Sequence, residues 1–214
     1  MRPLILLGGG GHCKSVIEVA ESAGREILGV LDLPEKMGNK ILSTEVIGTD
    51  EDIPSFVNQA DFLITLGFIK DPTTRIHLYK KVKEAGGEFA TIIASTAYVS
   101  KYAIIGEGTV VMHHAFVNAG AKVGCNVILN SFSNIEHDTI IGDQCHISTG
   151  TMVNGGCKLG NNVFIGSQSV VANGVIIGDD IIIGAHLLVR ESIFEKGIYL
   201  GNSTIDNSIN TQFT

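Results

Sequence analysis

A stack of short parallel strands behind a small α/β domain is the fold class this sequence predicts, and two observations predict it. Every sixth residue from Ile93 to Val189 is isoleucine, valine or leucine, without a miss. If a third of all residues were of these types, such a run would be a roughly one-in-10⁸ accident. Glycine follows the frame residue at Gly106, Gly124, Gly142, Gly160 and Gly178, a beat of eighteen. Period six fits neither an amphipathic helix nor an alternating strand. It fits a hexapeptide-repeat β-helix, in which three short strands make one triangular coil. The second observation is that the first ninety residues lack this period and alternate strand-like and helix-like segments instead.

Within the repeat, each frame residue is expected to point inward and stack on its counterpart one coil later. Two positions earlier comes a second inward residue, often small: Ala103, Thr109, Ala115, Ala121, Ser133, Thr139, Cys145, Thr151 and Cys157. A narrow triangular interior needs that alternation of large and small. Gly or Asn just after the frame residue, as at Asn118, Asn130 and Asn154, is expected to supply left-handed backbone at the corners. Coils about 4.8 Å apart make five to six of them a prism roughly 25 Å tall. Neighbouring coils satisfy each other's backbone, and both ends need caps.

The elements before the repeat follow in order. Leu4–Leu7 is a short apolar strand, and Gly8 to Gly11 form a loop. His12 to Ala23 has helical spacing through Val16, Ile17, Val19 and Ala20, with Gly24 fitting a C-cap. Ile27–Leu31 is a second strand ending in Asp32, Asp61–Leu66 a third ending in Gly67, and Pro72–Ala85 a second helix. This alternation predicts a small parallel, Rossmann-like sheet. The expected division is 1–92 for the α/β domain, 93–190 for the β-helix and 191–214 for a C-terminal tail. Ligands of such sheets bind beyond the carboxyl ends of the strands, which puts the Gly8–His12 loop, Asp32 and Gly67 on one rim.

Composition narrows the function. Net charge is −7 with pI near 5.4, and Lys80, Lys81 and Lys83 form the largest basic cluster, so neither nucleic acid nor an anionic membrane is an expected partner. No apolar stretch is long enough to span a bilayer, and Pro3–Leu7 is too short for a signal-peptide core, so a cytoplasmic location is expected. Cys13, Cys125, Cys145 and Cys157 lack a C-x-x-C pairing and read as packing residues rather than metal ligands or disulfides.

Two segments carry chemistry. The loop at Gly8–Gly11 lacks a full dinucleotide fingerprint, because Cys13 stands where the last glycine would be. Its amides, at a helix N-terminus, suit a phosphate, with Asp32 placed to accept from a ribose or base. Within the repeat, Glu136-His137-Asp138 sets a histidine between two carboxylates, two places past Ile135 and therefore at a corner. An outward histidine with an adjacent anion is a candidate general base. His146 is expected to bind rather than react. His113 and His114, one coil and one hexad earlier, are read as structural or intersubunit residues.

The Gly8–His12 loop after a strand, Ile135 to Asp138, and Gly142 to Ser148 together resemble the bacterial sugar O- and N-acetyltransferases of the NeuD/PglD type. That family includes sialic-acid O-acetyltransferases and enzymes acetylating the 4-amino group of UDP- or dTDP-linked 4,6-dideoxysugars. The resemblance covers nearly the whole chain and implies an α/β domain followed by a left-handed β-helix. It implies His137 as base with Asp138 as its adjacent acid. It further implies His146 on acetyl-CoA, the Gly155 amide at the thioester carbonyl, and the Ser167 and Ala185 amides along the pantetheine arm. Gly10, Gly11, His12, Asp32 and Gly67 would form the acceptor's nucleotide pocket. The family forms homotrimers, with acetyl-CoA between neighbouring prisms and no metal. Three departures stand out: Thr149 where relatives have proline, Gly201-Asn202-Ser203-Thr204 in place of a G-x-P-A segment, and Leu33 where some relatives have a second acid.

The expected activity is therefore N-acetylation of a UDP- or dTDP-linked 4-amino-4,6-dideoxysugar by direct transfer from acetyl-CoA. O-acetylation of sialic acid or a related sugar is the nearest alternative, and a non-catalytic sugar-binding or scaffold protein a further one. A zinc lyase of the γ-carbonic-anhydrase kind would need three converging histidines, a spacing that His137 and His146 lack.

Overall fold

In the computed structural model, residues 1–201 are described. The first part is an α/β domain: β1 (Leu4–Leu7), α1 (Gly11–Ser22), β2 (Ile27–Leu31), β3 (Lys40–Ile41), β4 (Thr44–Gly48), α2 (Ile53–Phe56), β5 (Asp61–Ile64) and α3 (Thr73–Glu84). The sheet order is β3-β4-β2-β1-β5. All pairs are parallel except β3 with β4, so the sheet is mixed at one edge rather than wholly parallel. Neither β3 nor β4 is among the strands the sequence predicts, which pass from Ile27–Leu31 directly to Asp61–Leu66. Leu4 to Leu7 and Phe62 to Ile64 are buried on both faces, as the helices on either side require.

The rest is a left-handed parallel β-helix with three faces. Seven strands from Ile92–Ile93 to Gly197–Tyr199 make the first face, six from Tyr98–Val99 to Leu188–Val189 the second, and five from Ile104–Ile105 to Ile176–Ile177 the third. Neighbouring strands are eighteen residues apart and in register up to the last coil, as with Ile135 against Val117 and Val153, whereas the final strand pairs at sixteen, Gly197 against Ile181. Frame residues from Val111 to Ile183 and the small residues two places before them form one continuous buried core. Cys145 and Cys157 lie in it, and all four cysteines are free. Ile93, at the open first coil, is exposed. The ladder also runs past residue 190: Ile193 bridges Ile177, and residues 197–199 pair with 181–183. Part of the expected tail therefore extends the prism, whereas Asn202, Ser203 and Thr204 lie outside the described residues.

One corner expectation is corrected. Left-handed backbone falls on the third residue after the frame position, as at Gly120, Asn126, Asp138, Gln144, Gly150 and Gly156, not on the first. Glycine directly after the frame residue serves a different need. A Cβ on Gly142 would lie 2.5 Å from the Gly160 carbonyl oxygen of the next coil, and one on Gly106 equally near that of Gly124. The coils there touch backbone to backbone, and no side chain fits between them.

The α/β domain packs on the first face. Leu4, Cys13 and Val16 share a buried cluster with Ile92, Val110, Met112 and Ile128. This packing decides where the two sets of chemical residues sit relative to one another.

Candidate functional site

The glycine loop forms at the carboxyl ends of β1 and β2, and it is tightly held. The Gly9 amide donates to Asp32 Oδ2 at 2.8 Å, and a Cβ there would strike Ile41 and Asp32. Around Gly10 and Gly11 there is open space, and α1 begins at Gly11, so these two present an accessible helix N-terminus. Asp32 is more committed than the sequence suggests. It also accepts from the Leu33 amide at 2.8 Å and from Lys36 Nζ at 2.9 Å. Burial alone would raise its pKa, but these hydrogen bonds hold the carboxyl below the usual range.

His12, Gly67 and His146 converge where the loop meets the prism. The two imidazoles lie 6.4 Å apart, and a Cβ on Gly67 would contact both. His146 Nδ1 lies 2.7 Å from the Phe68 carbonyl oxygen, which can only accept, so Nδ1 carries the proton. Its Nε2, 3.3 Å from Asn130 Nδ2, is then an acceptor. Phe68 and Phe164 close over the ring. Burial, opposed by the Phe68 hydrogen bond and reinforced by nearby Arg75, takes His146 down to about 4. Burial, His146 and Arg75 take His12 to about 4 as well. Both rings are neutral at pH 7. Phe68 has no motif of its own and Asn130 reads in the sequence only as a corner residue; the folded contacts place both at His146.

These two histidines make stability pH-dependent with a definite sign. Their folded pKa values lie below the unfolded value of 6.5, so the unfolded chain takes up protons that the folded one refuses. Their contribution is intact above pH 6.5 and is lost as pH falls toward 4. By pH 5, above the range where most carboxylates titrate, each histidine is expected to cost about 2 kcal/mol. Urea unfolding at pH 7 and pH 5 checks this, and His12→Gln should remove one share of the slope. Equal midpoints at the two pH values would show that neither ring is buried as described.

The second set lies elsewhere. His137 and Asp138 stand on the vertex between the second and third faces, with side chains 60% and 74% exposed. Asp138 occupies a left-handed slot, φ 59°, a conformation that Asp tolerates better than most residues. Its Oδ2 lies 2.9 Å from His137 Nδ1. That acceptor fixes the proton on Nδ1 and leaves Nε2 free to take another. Gly155, one coil on, packs under the ring: a Cβ there would lie 2.6 Å from His137 Nε2. Glu136 does not share the imidazole proton. Its carboxylate accepts from Asn118 and Asn134, and these bonds lower its pKa.

Ser167 and Ala185 occupy a third place, one coil apart on the vertex between the first and second faces; Ser167 Oγ lies 2.9 Å from Ser148 Oγ. His113 and His114 lie farther down that vertex, against Thr96 and Phe132. The structure thus brings together His12, Gly67 and His146, and separately His137, Asp138 and Gly155. The vertex bearing His137 faces away from the first face, which carries His146 and the α/β domain. A cleft of about 610 Å³ at the far end of the prism, beside Ile183, His186 and Tyr199, touches none of the expected site residues. Among the described residues no group of His, Cys, Asp or Glu is arranged to hold a metal.

Comparison with known proteins follows this division of the chain. Residues 3–82 match the PglD N-terminal domain, and residues 120–155 and 156–191 match the bacterial transferase hexapeptide repeat. Perosamine N-acetyltransferase from Caulobacter crescentus, solved with CoA and GDP-perosamine, is 28% identical with TM-score 0.85, over 92% of each chain. The acetyltransferase domain of PglB from Neisseria gonorrhoeae, solved with acetyl coenzyme A, is 26% identical with TM-score 0.86, over 96% of this chain and 98% of that one. An uncharacterized protein of Acanthamoeba polyphaga mimivirus is 34% identical over 121 residues; the match covers 56% of this chain and 23% of the viral protein's length. The two matched regions stand in the order of the two parts of the fold: a PglD N-terminal domain followed by bacterial transferase hexapeptide repeats.

Proposed function

We propose that this protein transfers acetyl from acetyl-CoA to the 4-amino group of a nucleotide-linked 4-amino-4,6-dideoxysugar, with His137 as general base. The observation that carries the reading is the His137–Asp138 pair, 2.9 Å apart on an exposed vertex with Nε2 directed at Gly155. Likeness over nearly the full chain to enzymes solved with CoA and GDP-perosamine, or with acetyl-CoA, supports the substrate class.

The acceptor amine attacks the thioester carbonyl, forming the C–N bond while His137 Nε2 takes the amine proton. Asp138 holds the imidazolium that results, a positioned-base effect of about 10²–10⁴ in rate. The Gly155 amide stabilises the oxyanion. The C–S bond then breaks, and the proton passes to the departing CoA thiolate. Ser167 and Ala185 hold the pantetheine arm. Gly10, Gly11, His12, Asp32 and Gly67 hold the nucleotide sugar, beside His146. Because His137 and this pocket are on opposite sides of one prism, the working site takes its base from a second copy, which a homotrimer supplies. On this reading the functional division is 1–92 for acceptor binding and 93–190 for the transferase prism.

Free-thiol release from acetyl-CoA with UDP-, dTDP- and GDP-linked 4-amino-4,6-dideoxysugars tests the activity. Release is expected with one of the three and absent with the 4-hydroxy analogue. Release with free sialic acid alone would replace N-acetylation by O-acetylation.

A further inference from the structure

Helix α3 carries a cation that, among the described residues, is buried without an anion. Arg75 is 2% exposed and shares the inner side of the helix with Leu78 and Val82. Its hydrogen-bond partners are uncharged oxygens. Nη1 donates to the carbonyls of Ile64, at 3.4 Å, and Leu66; Nη2 donates to the Asn126 carbonyl at 2.8 Å and to Asn126 Oδ1 at 2.5 Å. Nε has no partner. Burying a guanidinium this way is costly, and an apolar residue would pack the same space more cheaply.

The partners suggest what the cost secures. Leu66 leads directly into Gly67 and Phe68, and the Phe68 carbonyl holds His146 Nδ1. Asn126 lies in a prism corner and donates to Gln144 Oε1 one coil on, two residues before His146. One guanidinium therefore grips both sides of the joint between the α/β domain and the prism. We propose that Arg75 is a positioning residue that registers the loop 66–68 of the acceptor-binding domain against the prism wall bearing His146. This inference rests on the proposed function for its kinetic consequences. The charged and titratable groups at this joint are His12 on α1, Arg75 on α3, His146 on the prism and, from β2, Asp32 already bonded to Lys36. The guanidinium also disfavours protonation of both histidines.

The test compares Arg75→Met and Arg75→Lys with wild type. With whichever UDP-, dTDP- or GDP-linked amino sugar the enzyme accepts, kcat/KM for the acceptor is expected to fall about 10²-fold in Arg75→Met. Arg75→Lys should recover part of it, and the Kd for acetyl-CoA should not change. In NMR titrations of ¹³C-labelled histidine, His12 and His146 should titrate at higher pH in Arg75→Met than in wild type. The titration needs no turnover, so it decides the inference even if no acceptor is used and the proposed function fails. Loss of kcat in proportion to folded protein, with unchanged KM values and unmoved histidine titrations, would reduce Arg75 to a packing residue and overturn the proposal. If Arg75→Met does not fold, Arg75→Gln, which also removes the charge, decides by the same two readouts.

Discussion

Replacing His137 by alanine is expected to lower kcat by about 10²–10⁴ while leaving acetyl-CoA binding intact. The imidazole is largely exposed and contacts Asp138 and Gly155, so its removal opens no cavity in the core. Unfolding temperature should stay within a degree or two of wild type, which separates loss of a base from loss of fold. Asp138→Asn should cost less, because an amide can still face Nδ1 but no longer stabilises an imidazolium. Thiol release as a function of pH, with an accepted amino sugar, provides the measurement. Activity surviving in His137→Ala would leave acetyl transfer standing and remove His137 from it. The same variant mixed with a pocket-defective chain such as His12→Ala should regain activity if each site draws on two copies.

Placing alanine at Gly142 is expected to produce the largest loss of stability. The added Cβ would lie 2.5 Å from the Gly160 carbonyl oxygen and 2.6 Å from its carbonyl carbon. Those atoms are backbone within a paired coil, so relief requires the coils to part, and neighbouring ladder hydrogen bonds stretch with them. Overpacking of this kind costs about 3 kcal/mol, or about 6–12 °C in Tm for a chain of this length. Gly11→Ala provides the contrast. A Cβ there meets nothing within 4 Å, so Tm should not fall, although a methyl group at the helix N-terminus should weaken acceptor binding. Equal Tm values for Gly142→Ala and wild type would mean that the glycine row does not hold the coils in contact.

Much of the architecture was legible in the sequence because a β-helix stores its fold in a local repeat. Whether a side chain faces the interior depends only on its place within six residues, so Val111 through Ile183 and the Thr, Ser and Cys positions beside them could be assigned without knowing the tertiary structure. The Glu136-His137-Asp138 corner was legible for the same reason, since distance from the frame residue decides that it faces out. Corner detail was less accessible. Composition shows a glycine after the frame residue but not whether it answers a backbone angle or a lack of space, and the contact between Gly142 and Gly160 decides for space.

What only the tertiary structure decided are relations between residues far apart in the chain. Asp32 looks like a free strand-end carboxylate until Gly9, Leu33 and Lys36 are brought onto it. His146 reads as a ligand contact until Phe68, 78 residues away, caps it and the α/β domain buries it. Arg75 reads as one more helix cation, and only its i, i+3, i+7 spacing with Leu78 and Val82 hinted that it points inward. The residues of the proposed site were visible one by one in the sequence. Their separation onto opposite sides of one prism was not, because it arises from domain packing on the first face, and packing of whole elements leaves no periodic trace in the chain.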